Sequence, residues 1–110
     1  MNENLESQLN QGADNLSVIL MIAKGLGVAE ERVMTLAHII EERKRQDQKW
    51  GEQNHNDHYW FLIATEELGE IAKAMQENDS VEFQLEVTQL AAVMFAWMEC
   101  KFRNASKEGK

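Results

Sequence analysis

The chain has 110 residues, 44% of them apolar, and its 19 acidic against 11 basic side chains leave a formal charge of −8. That length suits a single domain, 1–110, with a modest core. The charge disfavours long nucleic acid as a partner, and no apolar run approaches the roughly 18 residues that cross a bilayer, so no membrane partner is expected.

The opening Met1-Asn2-Glu3-Asn4-Leu5-Glu6 lacks the basic start and apolar stretch of a secretory signal, and a cytoplasmic location is the expectation. The chain contains no proline, and its glycines fall where breaks suit helices, among them Gly25, Gly27 and Gly51. An all-α fold follows. Residues 1–13 and 103–110 are polar and expected to fray.

A first helix is predicted over Asn15 to Lys24, although the run Val18-Ile19-Leu20-Met21-Ile22 also reads as a strand. A second spans Ala29 to Gln48, where Val33, Leu36, Ala37, Ile40 and Arg43 recur at helical spacing. The turn-rich segment from Trp50 to Asn56 reads as a loop, and Asp57 suits an N-cap. Trp60, Ala64, Leu68, Ile71 and Met75 then form an apolar stripe ending near Gln76. Asp79 with Glu82 resembles a capping box and opens a last helix to about Phe102, with Phe83, Val87, Leu90, Met94 and Trp97 as its stripe. The short break pairs the last two helices as an antiparallel hairpin. Trp60 is expected in the core, and Cys100, the single cysteine, reads as a buried thiol.

Both helices of that hairpin carry oxygen-rich patches. Glu66, Glu67 and Glu70 stand at neighbouring places on one helix, and Glu82, Glu86 and Gln89 repeat the spacing on its partner. Like charges this close destabilise a helix, and a hard cation such as Mg²⁺, which takes oxygen ligands, relieves them. The blander alternative is a solvated acidic face. Apolar neighbours such as Ile63, Ala64, Ala91 and Val93 favour carboxylates at the border of buried surface. Lys73, Lys49 and Arg45 are candidate phosphate contacts, with ordinary surface charge as the alternative for each.

Glu66-Glu67-Leu68-Gly69-Glu70, followed after 15 residues by Glu86-Val87-Thr88-Gln89, resembles the paired acidic helix motifs of the MazG-like all-α nucleoside triphosphate pyrophosphatases. The upstream stretch from Glu42 to His55 is also similar to what small phage and cassette members of that family carry, so the resemblance covers residues 40–100. It implies a Mg²⁺-dependent enzyme, with Mn²⁺ as a substitute, that splits a nucleoside triphosphate into monophosphate and pyrophosphate in nucleotide-pool house-cleaning. The implied metal ligands are Glu67, Glu70, Glu86 and Gln89. Glu66 or Glu67 would act as general base, Trp50 and His55 would contact the base, and Lys49 and Lys73 the phosphates. Position 89 departs from the family pattern, which has aspartate there. Either Glu82 replaces it, or Gln89 ligates weakly, or turnover is lost.

Three other readings compete. Ile22 to Val28 resembles the turn of a DNA-binding helix-turn-helix, but Glu30 and Glu31 open the would-be recognition helix. A di-iron bundle needs two glutamate-x-x-histidine pairs, and only Glu52 with His55 has that spacing. A catalytically inactive helical interaction module is the third. The amount of apolar stripe predicts a homodimer or homotetramer, for which a bundle would be completed by a second copy.

Overall fold

A computed structural model describes residues 17–108, and every regular element among them is an α-helix. The chain divides into two compact units, Met1–Ala37 and His38–Lys110. No helix among the described residues is long and apolar enough to cross a membrane.

In the first unit residues 17–25 form α1, so the Val18 to Ile22 run is helix and not strand. The start expected at Asn15 lies outside the described residues. Gly27 ends the helix at φ +74°, a conformation that costs glycine little and other residues strain. There its N–H donates to Lys24 O at 3.1 Å, while Val28 N–H donates to Ala23 O at 2.7 Å, the paired bonds of a Schellman cap. Helix α2, Glu30–Trp50, follows, with Glu30 and Glu31 at its start and Lys49 at its end complementing the helix dipole. It runs two residues past Gln48 and stops at Gly51, whose φ is +72° and whose N–H donates to Asp47 O at 2.8 Å.

The second unit contains the end of α2, the loop 51–56, α3 (Asp57–Gln76) and α4 (Ser80–Glu108). Asn56, not Asp57, caps α3: its backbone is extended, and its Oδ1 accepts the Tyr59 N–H at 2.8 Å. Asp57 is thereby freed to reach α4, where its carboxylate accepts Trp97 Nε1 at 2.9 Å and Lys101 Nζ at 3.0 Å. At the other end, Asn78 at φ 55° closes a second Schellman cap through Asp79 N–H to Ala74 O. Asp79 Oδ1 then accepts Glu82 N–H at 3.0 Å, while Asp79's own N–H is taken by that cap. The capping box is therefore half formed.

Helix α4 continues past Phe102 to Glu108, beyond the point where fraying is expected. Arg103 accounts for the extension: its guanidinium donates to Gln53 O and Asn54 Oδ1 and pairs with Glu52 at 2.9 Å, tying the loop to the last turns.

Trp60, Val93, Ala96 and Cys100 form the core of the hairpin, with Ile63, Ala64 and Trp97 packed against them. The buried sectors are rotated from the predicted stripes. Leu68 and Met75 are exposed on α3, as are Val87 and Met94 on α4. In their place the small residues Ala74, Ala92 and Ala96 face inward and let the helices approach closely. Glu86 is turned in with them.

Removing the cap in Asn56→Ala is expected to cost about 1 kcal/mol. Trp60→Ala, which empties the centre of the core, should cost about 3–5 kcal/mol. Urea denaturation of the two variants checks the ranking, and equal losses would contradict a core centred on Trp60.

Candidate functional site

Helix periodicity sets Glu67 on the inner side of α3, one turn beyond Ile63 and Ala64. On α4, Glu86 precedes Val93 by two turns and shares its inward face. Glu86 is 7% exposed, the one charged side chain that is buried among the described residues. The Gln89 amide ends 3.2 Å from both Glu86 Oε2 and Glu67 Oε2. Its nitrogen end can donate to both oxygens, whereas its oxygen end, turned the same way, makes an all-acceptor cluster.

Burial raises the Glu86 carboxyl to a pKa of about 7, and hydrogen bonding with Glu82 and Glu67 adds to the shift. Glu67 is raised too, first by burial and then by the charges of Glu70, Glu66 and Glu42, partly offset by its hydrogen bond to Glu86. This acidic cluster has two ways to become stable. It can share protons and the Gln89 amide hydrogens, or it can surround a hard cation with the amide turned over, since carboxylate and amide oxygens are the donors such ions take. The donor chemistry therefore fits Mg²⁺. Among the described residues, no three His, Cys, Asp or Glu side chains stand ready-made as a ligand group.

A cavity of about 730 Å³ lies beside the cluster, walled by the end of α2, the loop 51–56 and the hairpin. Glu66, Glu67 and Gln89 line its acidic end. Along α4 the wall continues through Val93, Ala96, Glu99 and Arg103, a span of about 21 Å at helical rise. Trp50, His55 and Tyr59 bring aromatic rings to the cavity. The His55 and Tyr59 rings are 4.5 Å apart, and Lys49 Nζ stands 4.8 Å from the Trp50 ring.

Of the residues singled out from sequence, Glu66, Glu67, Gln89, Lys49, Trp50 and His55 all line this one cavity. Glu86 adjoins it through Gln89. Glu70 is exposed and acts on Glu67 through its charge, and Lys73 is exposed on α3 away from the cavity wall. Arg43, Tyr59, Glu99 and Arg103 also line the cavity and were not anticipated as site residues. A helical repeat was available as a signal for two of them, because Gln89, Val93, Ala96, Glu99 and Arg103 recur at three or four residues.

Glu42 is a further unanticipated neighbour. Its side chain is 13% exposed and accepts Arg45 Nε at 2.9 Å and Nη2 at 2.6 Å. The Arg45 hydrogen bonds, with Gln46 and the nearby charges of Arg45 and Lys49, hold its carboxyl below the ordinary range against the effect of burial.

Because the folded pKa of Glu86 lies above its unfolded value, its contribution to stability is complete below about pH 4.5. It is lost as pH rises through about 7. The loss is on the order of 3 kcal/mol. Thermal denaturation without divalent cations should therefore show Tm falling between pH 5 and 8, and Glu86→Gln should flatten that fall. An equally steep decline in the variant would remove Glu86 as its source.

No protein family, curated protein or solved structure matches the chain.

Proposed function

We propose that this chain is a MazG-like, Mg²⁺-dependent nucleoside triphosphate pyrophosphohydrolase that releases a nucleoside monophosphate and pyrophosphate. The observation that carries the reading is the contact of buried Glu86 with Glu67 and Gln89 at one end of a cavity whose walls also carry Trp50, His55 and Tyr59. A nucleotide is a molecule with those two needs: a triphosphate that travels with a divalent cation, and a flat base that stacks.

Glu67, Glu86 and the Gln89 amide oxygen would hold the cation, with Glu70 joining from the next turn of α3. Mg²⁺, or Mn²⁺ in its stead, supplies neutralisation of phosphate charge and a more acidic water. Glu66, exposed on the cavity wall, would accept the proton of the water that attacks the α-phosphorus. The bond from that phosphorus to the bridging oxygen breaks, and pyrophosphate leaves with the electron pair. Lys49 and Arg45, both on the cavity wall, are the cations available to the phosphate chain. Trp50 and His55 take the base.

The inactive interaction module is kept as a second reading by one feature. Gln89, with its nitrogen toward Glu67 and Glu86, satisfies both carboxylates without a metal. The two readings part in solution. Incubation of a nucleotide panel with Mg²⁺ should yield monophosphate and pyrophosphate, and Glu67→Gln should lower kcat on the order of 10²-fold or more with the fold intact. Release of orthophosphate alone would exclude the mechanism. Gln89→Asp should destabilise the metal-free protein at neutral pH by adding a carboxylate, and Mg²⁺ should restore it and bind more tightly. A Tm indifferent to Mg²⁺ in both proteins favours the module.

We also propose a homo-oligomer, because Phe61, Leu62 and Leu68 on α3 and Leu85, Met94 and Met98 on α4 leave large apolar surface exposed on the hairpin. Light scattering at micromolar concentration should return at least a dimer mass; a monomer would contradict it.

A further inference from the structure

Between α2 and α3 the chain has little of its own to hold it in place. The loop Gly51-Glu52-Gln53-Asn54-His55-Asn56 carries no aliphatic side chain to bury. Residues 52–55 make no backbone–backbone hydrogen bond among the described residues. A segment with so few internal contacts opens readily unless another element fixes it. Here that element is α4, through Cys100 and Arg103, which stand about one turn apart on the same face.

Arg103 Nε donates to Asn54 Oδ1 at 3.2 Å, and Nη2 donates to the same oxygen at 3.1 Å and to Gln53 O at 2.9 Å. Nε also stands 2.9 Å from Glu52 Oε1. The Cys100 thiol donates to His55 O at 3.6 Å. Every residue from Glu52 to His55 is thus tied to one face of α4, and the His55 ring lies 4.5 Å from Tyr59 and 4.8 Å from Trp60. Glu52, Gln53 and His55 line the cavity, whereas Asn54, which takes two of the guanidinium's bonds, is off its wall. Arg103 itself lies about 21 Å of helix beyond Gln89, far from the acidic cluster.

We infer that Arg103 is a positioning residue of the cavity: by holding Glu52, Gln53 and Asn54 it keeps the loop, and with it Trp50 and His55, in the arrangement that receives a nucleotide. This rests on the nucleotide reading of the cavity, but not on the hydrolysis. Without the guanidinium the loop populates other conformations, and the apparent affinity falls by the fraction of molecules that keep it in place. That fraction belongs to the free protein, so every base loses by the same factor. A lysine at 103 offers a compact charge instead of a planar fork and replaces the tie in part.

Arg103→Gln, Arg103→Lys, Asn54→Ala and the double variant Arg103→Gln with Asn54→Ala test this. Without nucleotide, endoproteinase Glu-C should cut after Glu52 several-fold faster in Arg103→Gln and in Asn54→Ala than in the wild type. Calorimetry with Mg²⁺ and a panel of non-hydrolysable α,β-imido nucleoside triphosphates should show binding weakened on the order of tenfold by either substitution and less by Arg103→Lys. The double variant should lose no more than Arg103→Gln alone, because both changes release the same tie. Mg²⁺ without nucleotide should bind all the variants as it binds the wild type. Losses that add in the double variant would mean that Arg103 touches the ligand itself and would overturn the inference. So would unchanged cleavage, unchanged nucleotide affinity in both single variants, or a parallel loss of Mg²⁺ binding. The expected pattern without pyrophosphate release from the parent triphosphates sinks the pyrophosphatase and leaves the role of Arg103 standing. If no analogue binds the wild type, the nucleotide reading falls and this inference with it.

Discussion

A carboxylate turned into a helix interface must be neutralised, hydrogen-bonded or matched with a cation, and Glu86 imposes that condition on the second unit. It sits on the same inward face as Val93 and Ala96, 7% exposed, with Gln89, Glu67 and Glu82 as its polar partners. Three of these four groups are acidic. Water no longer solvates the charge, and the neighbouring charges that weigh most on Glu67 are negative as well. Burial therefore holds the Glu86 carboxyl up at a pKa of about 7, and a bound cation would relieve the same charge. The need is electrostatic, whatever the chemistry that follows.

The hairpin tolerates this end because the other end is firmly fixed. Asp57 binds Trp97 and Lys101, and Arg103 ties the loop 51–56 to α4. Arg43 links the end of α2 to Glu99 across the cavity. These contacts hold the cavity walls apart and in register without filling the space between them. Cys100 is enclosed at the same end: its thiol donates to His55 O at 3.6 Å, and Asn104 donates to its sulfur at 3.7 Å. Burial pushes that thiol up, but contacts from Trp60, His55, Arg103 and Asn104 outweigh it, and the net shift is downward. With no exposed surface, it serves the core and not the cavity.

Cations are distributed along the cavity to match. Arg43 and Arg103 are committed to carboxylates and loop oxygens, and Arg45 is forked by Glu42. Lys49 rests against Trp50. A triphosphate entering with its own metal would bring positive charge to the end that lacks it.

Much of this was written locally in the chain. Apolar recurrence at three and four residues, glycines at breaks and a two- or three-residue connection are short-range signals, so the all-helical fold and the hairpin were legible, as were the buried Trp60 and Cys100. Spacing alone also placed Glu67 on a helix face and Glu86 and Gln89 on that of its hairpin partner. Which sector of each helix turns inward was another matter. An apolar stripe is wide enough to be read a residue to either side, and close packing through Ala74, Ala92 and Ala96 decided it, leaving Leu68, Met75, Val87 and Met94 outside and Glu86 within. Tertiary structure alone likewise brought Arg43 to Glu99 across 56 positions and left Lys73 off the cavity wall, because periodicity orders residues along one helix and says nothing of what the next helix places opposite them.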